Sequence, residues 1–319
     1  MPSNGERLGP SPIVISSRRG FHFLLVLLAL PLLLGAKVKT VGGPVLYSDG
    51  IVQVVSQDKL GTAECKEAAE MVNAAWKFDL NVMRWSDSPG LHRSLTLQVN
   101  NTGRMKKENP GMRAITPFNG KSFIIRADLV NDPSGPITCA HELGHMQAFR
   151  VLGEKRAGKH LVPLYFIEGH GLIMNRLYAD HLRISSPKDW TKNVGAVMSL
   201  SPEEASVILT DDSYSNNEKN PDKTFKMESL GVYFVEYMRT RYQGKGIPDM
   251  VPKMGRVFEL VARGKTYEQA FKQVYGVSVN QAVSEVVDLF KRTQANPAER
   301  CKGTRFEVAS QIVAGKSRK

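Results

Sequence analysis

The stretch ITCAHELGHMQAFRVL, residues 137–152, carries the most informative pattern in this chain for both its fold and its chemistry. Apolar residues flank a HELGH pentapeptide, and the pattern predicts one helix from Ile137 to Val151. Four residues span about one helical turn, so His141 and His145 project from the same face and their ring nitrogens can meet at one metal ion. Glu142 can then reach a water molecule held by that ion. The sequence therefore predicts a metal centre on this helix.

The third metal ligand has to come from elsewhere in the chain. A catalytic zinc ion takes three protein ligands and keeps one position open for water. The elongated form of the histidine pattern would place Gly and His at positions where this chain has Ala148 and Val151. Glu168, in PLYFIEGHGLIMN, is the better candidate. We therefore predict Zn²⁺ bound by the two histidines and Glu168. The alternative is that both histidines are surface residues of an unrelated helix, because so short a pattern also arises by chance.

The Glu168–Gly169 pair on a second predicted helix resembles the gluzincin clan of zinc metallopeptidases, and most closely the peptidase MA-like families. The resemblance runs from about Val45 to Arg292, with SLGVYFVEYMRTRYQGKGIPDMVPKM and GKTYEQAFKQVYGVSVNQAVSEVVDLF similar to the C-terminal helices of those families. It implies an α+β, zincin-like fold. An N-terminal lobe would hold a mixed β-sheet with helices, a C-terminal lobe would be mainly helical, and the active site would lie in the cleft between them.

The resemblance also implies catalytic roles. Glu142 would move protons, and Tyr233 would stabilise the transition state, because it lies about as far beyond the third ligand as the tyrosine of related aminopeptidases. Packing in the core is the alternative for Tyr233. His170 stands where relatives carry an apolar residue, so it is an alternative ligand, a substrate contact or a buried polar residue. Either GMRAIT or SFIIRA would form the edge strand that pairs with an extended peptide, unless these strands lie inside the sheet.

The first 36 residues are typical of a targeting segment. Arg18 and Arg19 precede an apolar run from Phe21 to Ala36, which is short for a membrane span of about 20 residues. A signal peptide cleaved after Ala36 is expected, with an uncleaved N-terminal anchor as the alternative. The paired arginines fit either twin-arginine export or an ordinary signal. Both routes predict an exported protein, in the periplasm, the cell envelope or outside the cell.

Composition and cysteine content narrow the partners. The formal charge of +12 suggests an anionic membrane or cell-wall surface as a partner, although a basic soluble surface is the simpler cause. Lysines and arginines are spread along the chain without interleaved aromatic residues, so no nucleic-acid partner is expected. The three cysteines form no zinc-binding ladder, and Cys65 with Cys301 is the one disulfide we predict. We expect a monomer with a peptidase domain over 37–295 and a basic tail over 296–319.

All strands are predicted before Pro136, with one helix among them, and the chain after Pro136 is predicted to be mostly helical. Asp49–Gly50 marks a hairpin over Val45–Gln57. Further strands are predicted at Ser94–Val99, Met112–Thr116 and Ser122–Ala127. Helices are expected over the following ranges: Thr62–Met83, Ile137–Val151, Tyr165–Leu182, Pro202–Leu209, Met227–Tyr242, Pro248–Ala262, Tyr267–Tyr275 and Val279–Arg292.

Three functions compete at this point. The first is a zinc metallopeptidase that hydrolyses peptide or protein substrates with a water molecule activated by the metal. The second is a non-catalytic, zincin-like binding or assembly module at an anionic envelope surface. The third keeps the zinc chemistry but acts on a non-peptide amide. Glu142 favours the catalytic hypotheses, because a module without catalysis has no need of a carboxylate beside the ligands.

Overall fold

The N-terminal part of the chain folds into a small mixed sheet. The computed structural model describes residues 43–316 apart from 57, 59, 86–90, 92–93, 102, 104, 106, 108–112, 160, 185–189, 212–220 and 244–246, so the predicted leader over 1–36 lies outside the described residues. The strands are β1 (Val45–Ser48), β2 (Val52–Val55), β3 (Leu95–Asn100), β4 (Ala114–Ile115) and β5 (Ser122–Arg126). The hairpin prediction is confirmed, because β1 and β2 pair antiparallel around the turn at Gly50, whose φ is +89°.

The order of the strands places β4 at one edge of the sheet. The order is β1-β2-β3-β5-β4, with β2–β3 and β3–β5 parallel and β4–β5 antiparallel. Strand β5 is therefore an inner strand, and its Phe123 and Ile125 are fully buried. Of the two candidates for the edge strand, the Ala114–Ile115 part of GMRAIT is at the edge and SFIIRA is not.

Helices make up most of the remaining chain, and the α+β class is confirmed. Their bounds are α1 (Thr62–Val82), α2 (Gly135–Leu152), α3 (Glu154–Ala157), α4 (Leu164–His181), α5 (Thr191–Ser199), α6 (Pro202–Thr210), α7 (Pro221–Met238), α8 (Ile247–Ala262), α9 (Tyr267–Tyr275), α10 (Val279–Arg292) and α11 (Glu307–Lys316). Helices α9 and α10 have the predicted bounds, while α3, α5 and α11 were not predicted. In the part of the chain that the structure describes, no helix is long and apolar enough to cross a membrane.

The described residues of the predicted basic tail over 296–319 pack against the rest of the protein. They belong to the same compact unit, Gly42–Lys319. The guanidinium of Arg300 is buried and donates hydrogen bonds to the carbonyls of Val197 and Leu200, at 2.9 and 3.0 Å. Phe306 is buried beside Trp190, with ring centroids 5.1 Å apart. The positive charge of Arg300 is therefore buried and anchors this segment to the domain, instead of being exposed to solvent.

The predicted disulfide is also absent from the structure. Cys65 and Cys301 are both free thiols, and each is fully buried. Burial raises the pKa of the Cys301 thiol to about 12, so this group stays protonated and unreactive at neutral pH. The domain is therefore held together by its core, without a covalent link between α1 and the C-terminal segment.

Asp79 is a fully buried acid in the core. It lies on α1 and has no solvent exposure, and neither carboxyl oxygen has a hydrogen-bond partner among the described residues. Burial raises the pKa of Asp79 well above its usual value, and its carboxyl group interacts electrostatically with Cys139 on α2 and Tyr178 on α4. The folded protein therefore binds a proton here that the unfolded chain releases at neutral pH.

The Asp79→Asn variant tests this linkage. Because the folded-state pKa is raised, the stabilising effect is complete below the unfolded pKa of about 4 and is lost as pH rises towards the folded value. In that window the wild type should lose up to about 1.4 kcal/mol of unfolding free energy per pH unit relative to Asp79→Asn. Urea unfolding of both proteins at pH 5, 6.5 and 8 measures the difference, with the exposed Asp288→Asn as the control. Parallel pH curves for wild type and Asp79→Asn would contradict the linkage.

Candidate metal centre

Helix α2 carries two of the predicted ligands on one face. It begins at Gly135–Pro136, where the proline suits the first helical turn, and it ends at Gly153, whose φ of 79° leaves the helical conformation. The Nε2 atoms of His141 and His145 lie 2.9 Å apart. Their rings meet edge to face with centroids 4.5 Å apart. One turn of helix therefore brings two ring nitrogens to the same point, as the spacing predicts.

Glu168 on α4 completes the group. Its Oε2 lies 3.2 Å from Nε2 of His145 and 3.5 Å from Nε2 of His141. One ligand atom from each of the three residues lies within 4.8 Å of the others. Two ligands of one ion with bonds of about 2.0 Å and tetrahedral angles are about 3.3 Å apart. The three measured separations scatter closely around that value, so the donors fit a small tetrahedral cation such as Zn²⁺.

The charges at this centre favour a bound cation. Burial alone would raise the pKa of Glu168, but His145 and His141 outweigh burial and hold that pKa below its ordinary range. Burial alone would lower the pKa of His145, but the carboxylate of Glu168 outweighs burial. The pKa of His145 is therefore raised. The carboxylate thus remains ionised and the imidazole tends to hold a proton. A metal ion that displaces this proton would meet an anionic oxygen and two ring nitrogens, which is a common zinc ligand set.

Two glycines on α4 allow the helices to approach. A Cβ atom at Gly171 would lie 2.7 Å from Cε1 of His145 and 3.0 Å from Cε1 of His141. A Cβ atom at Gly169 would lie 2.6 Å from the carbonyl oxygen of Gly231 on α7. The missing side chain of Gly171 therefore leaves room for the two imidazoles. The missing side chain of Gly169 lets α7 pack closely against α4. Gly171 was not predicted to be part of the site, although it lies one helical turn after Glu168 and so on the same face.

Glu142 is held in place by a residue that sequence reasoning missed. The hydroxyl of Thr116 lies 2.6 Å from Oε2 of Glu142 and 3.0 Å from the backbone carbonyl oxygen of Glu142. Thr116 directly follows edge strand β4, and Glu142 is 8% exposed on α2. The carboxylate beside the ligands is therefore ordered by the sheet. No local sequence signal could have joined these two residues, because the contact depends on how the sheet and α2 pack.

A third carboxyl group interacts electrostatically with the residues of this centre. Glu228 on α7 is half-buried, and its pKa is raised to about 8, first by burial and then by the negative charge of Glu168. Glu142 acts in the same direction and His141 in the opposite one. Glu228 is therefore mostly protonated and uncharged at neutral pH, and a cation bound at the neighbouring centre would favour its ionised form.

The structure places His170 in the core instead of at the metal centre. Its Nε2 lies 3.3 Å from the sulfur of Met83, and its ring packs edge to face on Phe258. The residue has no solvent exposure, and burial, together with the histidines of the metal centre, lowers its pKa to about 3. His170 is therefore a neutral buried polar residue. The structure does not support the two other interpretations of His170, a metal ligand or a substrate contact.

The structure does not bring Tyr233 to the metal centre, so its predicted catalytic role gains no support there. Its hydroxyl donates a hydrogen bond of 2.9 Å to the carbonyl oxygen of Arg300, and its ring packs between Phe290 and Phe306. The side chain has no solvent exposure, and burial strongly raises the pKa of the phenol. Tyr233 therefore anchors the C-terminal segment. The number of residues between Glu168 and Tyr233 does not show which face of α7 is turned towards α4, so it could not place Tyr233.

The family suggested by the sequence pattern has no independent support from comparison. No protein-family model, curated protein or solved structure matches this chain. The site itself is consequently the basis for any functional assignment. It brings together His141, His145, Glu168 and Glu142 as predicted, and it adds Thr116 beside the carboxylate of Glu142.

Proposed function

We propose that this protein is a zinc-dependent metallopeptidase with a zincin-like fold. His141, His145 and Glu168 would hold Zn²⁺, and Glu142 would be the general base. The observation that carries the proposal is the convergence of three ligand atoms within 4.8 Å of one another, with a non-ligating carboxylate next to the first histidine. Three protein ligands and an open fourth position are typical of catalytic zinc sites.

The proposed chemistry is hydrolysis of an amide bond. When bound, zinc supplies a Lewis acid that polarises the substrate carbonyl and lowers the pKa of a coordinated water to about 7. Glu142 accepts one proton from the attacking water as its oxygen adds to the carbonyl carbon. The same carboxyl then returns that proton to the amide nitrogen as the C–N bond breaks. The second proton of the water also ends on the amine, so the products are a carboxylate and an ammonium group, and Glu142 is restored as a carboxylate.

An extended peptide is the substrate that best fits the surroundings. Strand β4 (Ala114–Ile115) is at the edge of the sheet, and the next residue, Thr116, touches Glu142. A peptide that pairs with this edge by backbone hydrogen bonds would run past the carboxylate of Glu142. We therefore favour a peptide or protein substrate over a non-peptide amide. The active-site cleft would lie between the sheet and the helices that carry Glu168.

The setting is proposed from the sequence alone. The predicted leader over 1–36 supports an exported protein of the periplasm, the cell envelope or the exterior, with an N-terminal membrane anchor as the alternative. The charge of +12 supports contact with an anionic membrane or cell-wall surface. We propose a monomer that takes no nucleic-acid partner.

Peptide cleavage before and after metal removal tests the function. The purified protein should cleave members of a mixed peptide library, as followed by mass spectrometry, and a zinc chelator should abolish cleavage. Adding Zn²⁺ after the chelator is removed should restore the same products at the same bonds. A protein that binds zinc stoichiometrically but cleaves nothing would instead support the non-catalytic binding module.

A further inference from the structure

Thr116 makes an unusual pair of contacts with a single residue. Its hydroxyl oxygen is 2.6 Å from Oε2 of Glu142 and 3.0 Å from the backbone oxygen of the same residue. A hydroxyl has one proton to donate, and a bond to an ionised acceptor is stronger than one to a neutral carbonyl. While Glu142 is a carboxylate, the donation therefore goes to Oε2. Oε1 is then the oxygen left to take a proton from water.

The backbone of Thr116 is fixed by the sheet. Ile115, the residue before it, is in register with Ile124 of inner strand β5, and Ala114 with Ile125. Threonine is branched at Cβ, which restricts χ1 and so limits where its hydroxyl can point. The position of the Glu142 carboxylate is thus linked to the position of edge strand β4 rather than to α2 alone.

We propose that Thr116 is a positioning residue, which links the edge strand that receives the substrate to the general base Glu142. This inference rests on the proposed peptidase function and adds to it the device that orients the base. A peptide paired on β4 would further restrain Ala114–Ile115. Through the hydrogen bond of Thr116, that restraint would also act on Oε2 of Glu142. The proton on Thr116 is not transferred. Only Oε1 of Glu142 gains and loses a proton during the reaction.

The inference is tested by kinetics of Thr116→Val and Thr116→Ser. Valine keeps the shape and removes the hydroxyl, so kcat should fall roughly 10- to 100-fold with KM changed by less than about two-fold. Bound zinc per chain should stay at the wild-type value, because Thr116 contacts no ligand atom in the structure. Serine should restore most of kcat. The double variant Thr116→Val, Glu142→Gln should be no slower than Glu142→Gln alone, because both changes affect the same step.

A matched control is available on α2. Thr138→Val also removes a half-buried hydroxyl that donates to a backbone carbonyl, that of Ser134 at 2.8 Å, and it should leave kcat unchanged. Wild-type kcat in Thr116→Val would overturn the inference, and so would a Thr116→Ser variant as slow as valine. A wild type with no Glu142-dependent cleavage is a different outcome, since it refutes the proposed function and the role of Thr116 with it.

Discussion

Replacing Glu142 with glutamine is expected to reduce kcat/KM for peptide cleavage by about 10²- to 10⁴-fold, the usual contribution of a group that moves protons. Glutamine has nearly the same shape, but it cannot accept the proton of the attacking water or return it to the leaving amine. The hydrogen bond from Thr116 can be kept by the amide oxygen, so the local structure should persist. Initial rates on a single cleaved peptide measure the effect.

Metal binding separates this loss of activity from a loss of structure. Glu142 is not among the ligand atoms that converge in the structure, so Glu142→Gln should bind as much zinc as the wild type. Glu154→Gln is the matched control, because it removes an exposed carboxylate that forms an ion pair with Lys121 and should keep full activity. A Glu142→Gln variant that cleaves peptide at the wild-type rate would refute the assignment of the base.

Replacing Gly171 with alanine is expected to weaken zinc binding by roughly 10- to 100-fold or more, as changes to groups that orient metal ligands do. The added Cβ would lie 2.7 Å from Cε1 of His145 and 3.0 Å from Cε1 of His141, so the imidazoles must shift from the positions in which they converge. Helix propensity acts the other way, because alanine favours an isolated helix over glycine by about 1 kcal/mol. Competition with a chromophoric chelator measures the zinc affinity.

Gly195 on α5 supplies the control for this substitution. A Cβ atom there meets nothing within 4 Å, so Gly195→Ala should leave zinc affinity unchanged and stabilise the fold slightly. Zinc affinity in Gly171→Ala equal to that of the wild type would show that the space beside the histidines is not part of the metal centre.

The features that could be predicted are those that depend on short-range geometry. The spacing of His141 and His145 within one helical turn determines their convergence, and the structure shows it. The Asp49–Gly50 turn likewise determines the hairpin, because glycine accepts the positive φ found there. Helix α6 also begins at Pro202 as predicted, and the Ser201 hydroxyl accepts a hydrogen bond from the backbone N–H of Glu204.

The features that could not be predicted depend on how distant segments pack. Tyr233 is buried against Phe290 and Phe306, and no local pattern shows which face of α7 is covered. Burial of Arg300 was equally hidden, because a basic residue near the C-terminus is typical of a solvated tail until carbonyl acceptors are known. Thr116 could not be assigned for the same reason, since only the fold brings β4 to α2.

The central claim is that His141, His145 and Glu168 hold a zinc ion, and elemental analysis of the purified protein beside a Glu168→Ala variant tests it most directly. The account predicts about one zinc per wild-type chain, removed by dialysis far more readily from Glu168→Ala, because that variant leaves only two of the three ligands that a catalytic zinc site requires. A wild-type protein that binds no zinc, or a Glu168→Ala variant that retains it equally well, would contradict the account.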